Sequence, residues 1–405
     1  MNVFKIEKYF VDYSHNPKKS PTIKTSHQNN SADHYDIAIA GGGLAGLLSA
    51  IALKKRGYHV ALLERNEYPF HKVCGEYIST EVIPYLQSLD CYPQHLDPAH
   101  IHTFVLSDIS GKVGRVQLNQ GGFGISRFAL DAWLAEKATA LEVHLRTRTR
   151  VEKIDFDGDT FTFMLPAGEI ITSKIAIGAY GKRSRLDKQL DRDFIKDSAP
   201  YVGVKYHIKT EFPADVIALH NFPRGYCGIS KVEGDAYNLC YLASRDDLRK
   251  AGNIQEMEEA ILHQNPHLKR IWEESDFLFE QPKVINEVSF APKAPVENHL
   301  LMCGDTAGLI TPLCGNGMAM AIHASKLCTE AIAQHMSPGG KPDRAAIEQQ
   351  YACNWRRHFA HRLWVGRTAQ KAFGYPISSK ALVGLVRLLP PVAKMIIKQT
   401  HGRPF

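Results

Sequence analysis

The sequence lacks three features that would mark other classes of protein: paired cysteines, a long apolar run and a concentrated block of charge. Its cysteines form no C-x-x-C pair and no zinc-like pattern with histidine, so no metal site is expected. No run of about 18 apolar residues occurs, so no membrane-spanning helix is expected. The N-terminus has no continuous apolar segment of the kind found in a secretory signal. Together these absences favour a reducing, cytoplasmic setting.

The net charge is also small. The chain of 405 residues has a formal net charge of +7, and 22% of its residues are charged. The lysines and arginines form no dense run interleaved with aromatic residues, so no nucleic-acid partner is expected. The mild basicity suits an anionic cofactor or an anionic membrane surface. A hydrophobic content of 44% is ordinary for a globular protein, and the length fits two to three domains.

One βαβ unit near the N-terminus sets the fold class. Residues 1–33 are polar and are expected to form a disordered tail. An apolar strand is predicted over residues 35–40, a helix over residues 44–56 that Gly57 ends, and a second buried strand over residues 59–63. A strand, a helix and a strand in this order are typical of an α/β fold with a parallel sheet.

The first turn of this unit carries a dinucleotide-binding motif. Gly41, Gly43 and Gly46 fit the pattern G-x-G-x-x-G. The first glycine permits the tight turn, the second lets the backbone approach a pyrophosphate, and the third lets helix and strand pack closely. The N–H groups at the start of the helix, at Leu44 and Ala45, add an anion-binding end.

An acidic residue at the end of the second strand narrows the choice of nucleotide. Glu64 lies about 20 residues beyond the glycines, where a carboxylate can accept hydrogen bonds from ribose hydroxyl groups, and Arg65 beside it is a further candidate. Since a carboxylate repels a 2′-phosphate, FAD or NAD is expected here rather than NADP. The alternative is a plain glycine turn followed by a surface glutamate.

A second glycine-rich segment decides between these nucleotides. After a predicted apolar strand over residues 299–303, residues 304–317 follow the pattern G-D-x-x-G-x-x-x-P-x-x-G-x-G, and a helix is predicted from Met318. This segment resembles the second flavin motif of the para-hydroxybenzoate hydroxylase superfamily, which includes aromatic monooxygenases, flavin halogenases and geranylgeranyl reductases. The resemblance spans Asp36 to about Gln350 and implies that the cofactor is FAD.

The resemblance assigns roles within this segment. It implies that Asp305 hydrogen-bonds a ribityl hydroxyl and that backbone N–H groups at the helix start bind the flavin pyrimidine. A helix N-terminus there would stabilise the negative charge of reduced flavin. Without the resemblance, Asp305 would be an N-cap in a plain turn. The cofactor-binding residues expected here are Gly304, Asp305, Pro312, Gly315, Asn316, Gly317 and Met318.

Other segments between the two motifs also resemble the superfamily. Residues 126–134 are similar to its R-x-x-L-D-x-x-L element, which implies that Arg127 approaches the flavin ribityl chain or phosphate and that Asp131 orients it. The alternative is a surface helix with an i,i+4 ion pair. Val151 is similar to the residue whose backbone meets adenine, and a core valine is the alternative. NAD(P)H is a candidate electron donor, but Tyr180 stands where the superfamily usually has an aspartate associated with pyrophosphate and NAD(P)H handling, which weakens the case for NAD(P)H as the direct reductant.

The reacting site is expected beside the segment that follows the second strand. Lys72, Cys74 and Gly75 match the K-x-C-G segment of geranylgeranyl reductases, which runs beside the flavin. The resemblance makes Cys74 a candidate catalytic residue, with Lys72 lowering its pKa and belonging to the cofactor-binding set. A small buried thiol is the alternative. Tyr226, in a Gly-Tyr step of a predicted strand, is the second catalytic candidate, and a core tyrosine is its alternative.

The rest of the chain predicts the domain plan. Residues 201–290 alternate apolar and polar side chains in short segments, which predicts an antiparallel sheet with one open face in a substrate domain. The flavin domain is then expected in two parts, residues 34–200 and 291–335, with part of the substrate sheet inserted into the first part at about 75–125. A helical region follows at 336–405. The fold class expected is therefore a Rossmann-type FAD-binding α/β domain with an inserted antiparallel β-sheet substrate domain and a helical C-terminal region.

The C-terminal region predicts a further contact. Residues 378–398 are apolar with lysine and arginine at intervals, and Pro390 and Pro391 divide them into two short helices. Basic amphipathic helices of this kind can lie in a membrane interface, which would place the protein peripherally on a membrane. The alternative is a pair of helices that cap the domain.

Four functions follow as hypotheses. The first is an FAD-dependent monooxygenase, a hydroxylase of an apolar, long-chain aromatic or isoprenoid compound. The second is a flavin reductase of isoprenoid double bonds, which the K-x-C-G segment indicates. A flavin halogenase is third because the K-W-x-W-x-I-P signature of that group is missing, and a non-enzymatic flavin-binding protein is last. The first two make the chain an oxidoreductase that acts on an apolar small molecule or lipid.

Overall fold

The structure, a computed structural model, describes residues 33–197, 199–371 and 373–405. The strands are β1 (Asp33–Ala40), β2 (Val60–Leu63), β3 (Tyr77–Ser79), β4 (Ala99–Ser107), β5 (Val113–Gly124), β6 (His144–Arg146), β7 (Lys153–Phe156), β8 (Phe161–Met164), β9 (Ile170–Gly178), β10 (Tyr201–Lys209), β11 (Val216–Phe222), β12 (Gly225–Lys231), β13 (Tyr237–Ser244), β14 (Asp276–Phe277), β15 (Lys283–Val288), β16 (Val296–Glu297) and β17 (Leu300–Met302). The helices are α1 (Leu44–Lys55), α2 (Ile83–Ser88), α3 (Arg127–Ala140), α4 (Arg185–Gln189), α5 (Arg245–Ala251), α6 (Ile254–Ile261), α7 (Pro266–Glu274), α8 (Gly317–His335), α9 (Arg344–Gln370), α10 (Pro376–Leu388) and α11 (Pro390–Thr400).

The expected N-terminal tail falls almost wholly outside the described residues. Its last residue, Asp33, belongs to β1, so the first strand begins two residues earlier than the apolar pattern predicts. Asp33 and His34 are exposed while the rest of the strand is buried, which explains why their side chains do not extend the apolar pattern.

The central strands of the first sheet are parallel, as the βαβ unit predicts, while β16 pairs antiparallel with β17 and β8 pairs antiparallel with β9. β1 runs parallel to β2 on one side and to β9 on the other, and the order across the sheet is β16-β17-β9-β1-β2-β6. α1 packs against α3 and α8, and Gly57, with a φ of +88°, follows its C-terminal end as expected. The strands β1 and β2 are apolar because they are buried within this α/β core. The Rossmann-type fold class is confirmed.

The second sheet runs in the order β14-β10-β13-β12-β11-β4-β5-β3, and β15 also pairs with β10. The strands from β10 to β13 are antiparallel to their neighbours, as expected. β4 and β11 run parallel, however, so the sheet is mixed rather than wholly antiparallel. The physical reason is that β3, β4 and β5 come from an earlier part of the chain, so no hairpin fixes the direction of β4 against β11.

The expectation of one open face on this sheet is wrong. Val202 and Val204 of β10 point into a core that α6 and α7 supply, with Met257 and Leu268 among its members. The other face of β10 is also buried, and it carries Lys205. Alternation of apolar and polar residues is typical of a sheet with water on one side, but Lys205 and His207 of β10 face Glu76 instead of solvent.

The C-terminal region is helical, as predicted. α8 leaves the second glycine segment, α9 packs against α8, and the pair α10 and α11 is divided at Pro390 and packs over β4 and β5. Across the described ranges, the structure contains no helix of the length and apolar character that crossing a bilayer requires.

Candidate functional site

At two positions, Gly41 and Gly46, the first glycine motif has no room for a side chain. Gly41 has a φ of +106°, and a Cβ placed on it would lie 2.4 Å from the carbonyl oxygen of Ala179 on the neighbouring strand connection. A Cβ on Gly46 would lie 1.9 Å from the carbonyl oxygen of Gly41, closer than any real contact. The turn and α1 therefore approach each other as closely as a dinucleotide fold requires.

The start of α1 is arranged to receive an anion. Gly43 is the N-cap residue and supplies no side chain to the free N–H groups of the first turn. A Cβ on Gly43 would meet only the ends of two cationic side chains, Arg127 at 3.5 Å and Lys72 at 3.6 Å. Leu44 and Ala45 follow at the helix start and are buried. A helix N-terminus flanked by two cations is a pyrophosphate-binding arrangement.

A buried carboxylate holds these two cations in place. Asp131 accepts hydrogen bonds from Arg127 Nε at 2.8 Å and Nη2 at 2.7 Å, and from Lys72 Nζ at 3.0 Å. Burial opposes the charges, but their mutual attraction raises the pKa of Arg127 and lowers that of Asp131. The alternative of a surface helix with an ion pair is excluded, because the Asp131 side chain is only 1% exposed. Asp131 orients Arg127, as the resemblance implies.

Glu64 lies at the carboxyl end of β2 beside the same turn. One carboxylate oxygen accepts from Gly42 N at 2.8 Å, and the other accepts from the backbone and side-chain nitrogens of Asn66, each at 2.9 Å. The hydroxyl of Tyr68 donates to the carbonyl oxygen of Gly42 and covers this part of the turn. Arg65 is exposed. Glu64 is thus a buried acid fixed to the glycine turn, which differs from the surface glutamate of the alternative.

The second glycine motif meets the first one directly. Gly304 has a φ of +67°, and a Cβ on it would lie 3.1 Å from Cβ of Ala45. Asp305 is half-buried and close enough to Arg127 for its charge to raise the pKa of that guanidinium. Lys293 Nζ donates to the backbone oxygen of Asp305 at 2.9 Å and fixes this turn. Asp305 does not cap a long helix, because α8 begins twelve residues later.

The start of α8 offers a second set of N–H groups. Asn316 is the N-cap residue, but its side chain donates to the carbonyl oxygen of Thr400 at 2.7 Å instead of capping the helix. Gly315 adopts a left-handed conformation with a φ of +61°. Gly317 and Met318 begin the helix, so their N–H groups have no side-chain cap. The other expected member of this segment, Pro312, is exposed and begins a single helical turn that ends at Cys314.

Tyr226 connects this segment to the second sheet. Its hydroxyl oxygen accepts a hydrogen bond from Leu313 N at 2.9 Å, and its side chain is buried. Burial raises the pKa of Tyr226 well above its ordinary value, so the phenol stays protonated. The ring packs at 5.4 Å, centroid to centroid, from Phe373. Tyr226 therefore contacts the flavin segment through its hydroxyl, whatever further role it has.

Cys74 lies where the two sheets approach each other. It is half-buried, packs against the flavin-domain core and lies within electrostatic range of Arg127. The preceding residue, Val73, lies close to Gly203 of β10, and its carbonyl oxygen accepts from Lys182 Nζ at 3.3 Å. The catalytic role of Cys74 stays a prediction, and the structure places this residue near Arg127 of the flavin cradle. The structure directs the Lys72 ammonium to Asp131.

A buried ionic cluster lies close to Cys74 in the chain and is not predicted from the sequence. Glu76 accepts from Lys205 Nζ, from His207 Nε2 at 2.7 Å and from Arg127 N at 2.7 Å, and the side chains of Glu76, Lys205 and His207 are fully buried. Burial opposes ionisation of Glu76, but Lys205 and His207 outweigh it and hold its pKa at about 2. Burial and Lys205 lower the pKa of His207, so the imidazole donates as a neutral group. The only signal in the sequence is a lysine and a histidine two residues apart within an apolar strand.

Two further expected residues lie at the edges of this arrangement. Val151 is half-buried and packs against the flavin-domain core, so its backbone remains a candidate for adenine. Tyr180, in place of the usual aspartate, directs its hydroxyl to Asp187 at 3.3 Å. The next residue, Gly181, donates its N–H to Thr306 in the second motif at 2.9 Å. This loop is therefore tied to the second motif through Thr306.

The residues present fit FAD. The α1 N-terminus, Arg127 and Lys72 would hold the pyrophosphate, and Glu64 would face the adenosine ribose. Asp305 and the α8 N-terminus would hold the ribityl chain and the pyrimidine edge of the ring. Two uncapped helix N-termini that converge on one side of the parallel sheet are a costly arrangement without an anionic ligand. Neither end is satisfied by a side-chain cap in the structure.

Comparison with known proteins agrees with this geometry. A family model described as "FAD binding domain" matches residues 34–346. Conditioned medium factor receptor 1 of Dictyostelium discoideum is 24% identical over 87% of this chain and 73% of its own length. Digeranylgeranylglycerophospholipid reductase of Methanosarcina acetivorans is 24% identical over 84% of this chain and 85% of its own length.

Solved structures share the fold. A geranylgeranyl bacteriochlorophyll reductase-like protein of Thermoplasma acidophilum has a TM-score of 0.73, covers 93% of this chain and 97% of its own, and is 17% identical. A flavin-dependent brominase also has a TM-score of 0.73, with 91% and 93% coverage and 18% identity. Because reductase and brominase are equally similar, the fold alone does not separate these reactions. The family match covers most of the chain, and the chain belongs to the FAD-binding-domain family as an FAD-dependent oxidoreductase.

Proposed function

We propose that this oxidoreductase reduces isoprenoid double bonds in an apolar, lipid-like substrate. The observation that carries the proposal is the position of Cys74, whose half-buried thiol lies at the flavin cradle in a segment that faces the second sheet. Several relatives of the chain are named as reductases of geranylgeranyl compounds, among them those of Methanosarcina acetivorans and Synechocystis. Their identity to this chain is 24%, so the substrate is inferred from chemistry as well as from likeness.

The region proposed to receive the substrate is apolar. A cluster of buried aliphatic and aromatic side chains lies between the second sheet, the second flavin segment and the C-terminal helices, and each of these three parts contributes to it. It consists of Leu106, Val116, Leu219, Tyr226, Leu242, Val288, Phe290, Leu309, Phe373, Val383, Val386 and Ala393. An apolar cluster of this composition favours a hydrocarbon chain over a charged or sugar-like substrate.

The chemistry divides between cofactor and protein. FAD, when bound and reduced by an external two-electron donor, supplies the hydride that adds to one alkene carbon. The Cys74 thiol donates a proton to the other carbon, and the thiolate recovers a proton from water because the side chain is half-buried. Arg127 is positioned by Asp131 to keep the nucleotide in place. Tyr180 in place of the usual aspartate weakens the case for NAD(P)H as the direct reductant.

The experiment that tests the proposal uses purified holoprotein, reduced with dithionite in the absence of oxygen and mixed with a geranylgeranyl lipid. Reduction predicts flavin reoxidation without oxygen and a product heavier by two hydrogens for each double bond. The monooxygenase that the sequence first favours predicts no anaerobic turnover, but oxygen uptake and a product heavier by one oxygen atom. That second result would replace the reductase with a hydroxylase.

A cysteine pair tests the role of the thiol. Cys74→Ala should lower alkene reduction by roughly 10²- to 10⁴-fold, the range for loss of a general acid, while the flavin spectrum is kept. Cys353→Ala, at an exposed position of α9, serves as the matched control and should leave turnover unchanged. Equal turnover of both variants would show that Cys74 is not the proton donor.

A further inference from the structure

The helix α10 is apolar on two opposite sides. Its inner side carries Ser379, Val383 and Val386, which are buried. The packing there is close, because a Cβ on Gly114 of β5 would lie 2.8 Å from Val386. A helix that lies on a protein surface normally turns charged and polar residues outward on the opposite side.

The outer side of α10 does not follow that rule. Ile377, Ala381, Gly384 and Leu388 are spaced by four, three and four residues, so they form one stripe opposite the buried one. Ile377 is 87% exposed and Leu388 is 80% exposed. Of the ten large apolar side chains that are exposed in the described part of the chain, seven lie between positions 364 and 396. They are Trp364, Tyr375, Ile377, Leu388, Leu389, Met395 and Ile396.

The charge of the same region is of one sign. Residues 371–405 contain no aspartate or glutamate, and they account for six units of the net charge of +7. The cations are Lys371, Lys380, Arg387, Lys394, Lys398 and Arg403. Among the described residues, no ion pair with a carboxylate involves any of the six.

We propose that the outer surface of α10 and α11 docks on the surface of an anionic phospholipid bilayer. Exposed aliphatic side chains would enter the headgroup and acyl boundary, and the cations would remain among the phosphates. Trp364 and Tyr375, which are 58% and 54% exposed, have the amphipathic rings that favour this boundary. Anionic headgroups supply the counter-charge for this region, in which all six Lys and Arg side chains are cationic and no carboxylate side chain occurs.

Docking would join the bilayer to the flavin site through short contacts. The inner side of α10 belongs to the apolar cluster that faces the second flavin segment, through Val383 and Val386. At the end of α11, the carbonyl oxygen of Thr400 accepts from Asn316 at the start of α8. We infer, on the basis of the proposed function, that a lipid-like substrate passes from the bilayer beside α10 to this cluster.

Vesicle sedimentation of the holoprotein tests the docking. The full chain should bind vesicles made of equal amounts of phosphatidylcholine and phosphatidylglycerol, and should bind pure phosphatidylcholine at least tenfold more weakly. The double variant Ile377→Asp with Leu388→Asp should lose binding by at least tenfold. Ile170→Asp with Val284→Asp, at exposed apolar positions outside the C-terminal region, should bind as the wild type does. Each exposed cation changed to glutamine should weaken binding by about fivefold.

Several results would overturn the docking. These are absence of vesicle binding by the wild type, equal loss of binding in both double variants, or a concentration-dependent dimer that only the Ile377 and Leu388 variant abolishes. The last result would make a second copy of the chain the occupant of this surface.

Activity separates the docking from the proposed function. A short, water-soluble isoprenoid should be reduced equally by the wild type and by the Ile377 and Leu388 variant. Vesicle binding without any alkene reduction would remove the proposed reaction and leave the docking intact. Reduction of the soluble isoprenoid without vesicle binding would remove only the docking.

Discussion

At the scale of single residues, Glu76 connects β10 of the second sheet to the start of α3 in the flavin domain. Its carboxylate bonds to Lys205 and His207 of β10 and to the backbone of Arg127, whose side chain flanks the α1 N-terminus. Glu76 also has a positive φ of 53°, which costs free energy in a residue other than glycine. The hydrogen bonds to its three partners hold Glu76 in this conformation and offset its cost.

Replacing Glu76 with glutamine should destabilise the fold. Glu76→Gln leaves Lys205 buried without its anion, which is expected to cost about 3 to 5 kcal/mol in the free energy of unfolding. Urea unfolding at neutral pH measures the change. Glu280→Gln, at an exposed position, is the control and should unfold as the wild type does. A loss no larger than that of the control would mean that the ion cluster contributes little.

The pH dependence of stability should change in the same variant. The pKa of Glu76 is lowered from 4.5 to about 2 in the folded protein. The stabilisation by its charge is therefore fully present above pH 4.5 and is lost as the pH falls toward about 2. The stability difference between wild type and Glu76→Gln should shrink across this window, although other carboxylates titrate in both proteins. A constant difference across the window would contradict the assignment.

Two glycines of the first motif separate binding from folding. Gly43 has an ordinary negative φ and room for a methyl group, so Gly43→Ala should fold normally but weaken FAD binding by about tenfold or more. Gly46→Ala forces a contact with Gly41 and should lower the stability of the apoprotein by about 1 to 3 kcal/mol. Flavin fluorescence titration and thermal unfolding of the apoproteins measure the two effects. If the Gly43→Ala apoprotein unfolded at a clearly lower temperature than the wild-type apoprotein, Gly43 would be required for folding rather than for FAD binding alone.

Residues of the flavin cradle were predictable because each combines an unusual residue type with a fixed spacing. Gly41, Gly43 and Gly46 follow from backbone geometry, and Arg127 follows from its motif. Lys205 and Glu76 were not predictable. A buried ion pair between distant segments leaves no periodic pattern, and each charge alone resembles a solvent-facing residue.

At the scale of elements, β12 supports the second flavin segment through the hydrogen bond between Leu313 and Tyr226. Tyr226→Phe removes this acceptor and should weaken FAD binding by a few fold, in line with about 0.5 to 1.5 kcal/mol for one hydrogen bond. If the hydroxyl only positions the segment, turnover at saturating FAD should be preserved. A turnover that falls by roughly 10²-fold or more at saturating FAD would instead make Tyr226 a proton donor. FAD titration combined with steady-state turnover distinguishes the two results.

Elements differ in how well the sequence predicts them. The unit of β1, α1 and β2 was predicted nearly to the residue, because an apolar strand, glycines and a helix follow local rules. The helices α6 and α7 over the second sheet were missed, and with them the covering of its far face. Helices of eight and nine residues are marginal on their own, so packing against the sheet rather than local propensity stabilises them. The parallel pairing of β4 with β11 has no local signal at all.

At the scale of the whole molecule, FAD should stabilise both sheets together. Glu76 and Tyr226 link the second sheet to the flavin cradle, so we expect one cooperative thermal transition that shifts upward with FAD. At a free FAD concentration 100 times the dissociation constant, the gain is about 2.7 kcal/mol. Riboflavin, which lacks the pyrophosphate and adenosine, should give a much smaller shift. Two separate transitions, of which only one responds to FAD, would contradict this coupling.

The global architecture followed from two motifs more than from the bulk composition. The separation of the two glycine segments by more than 250 residues indicated a flavin domain interrupted by a second domain. What composition could not indicate is how closely the parts are interlocked. The C-terminal residues reach back to the start of α8 through Asn316 and Thr400, and such long-range contacts follow only from tertiary packing.

Tyr226 contributes both to the apolar cluster and to the support of the second flavin segment, and this has a consequence for protein engineering. Its ring belongs to the apolar cluster, and its hydroxyl holds the second flavin segment. In a library that randomises this position, variants with altered substrate selectivity would therefore also bind FAD more weakly. Leu106 on β4 and Leu219 on β11 belong to the same apolar cluster. Unlike Tyr226, they have no side-chain hydrogen bond to the flavin segment that a substitution could remove. Directed evolution toward longer or branched chains should therefore begin at those two positions.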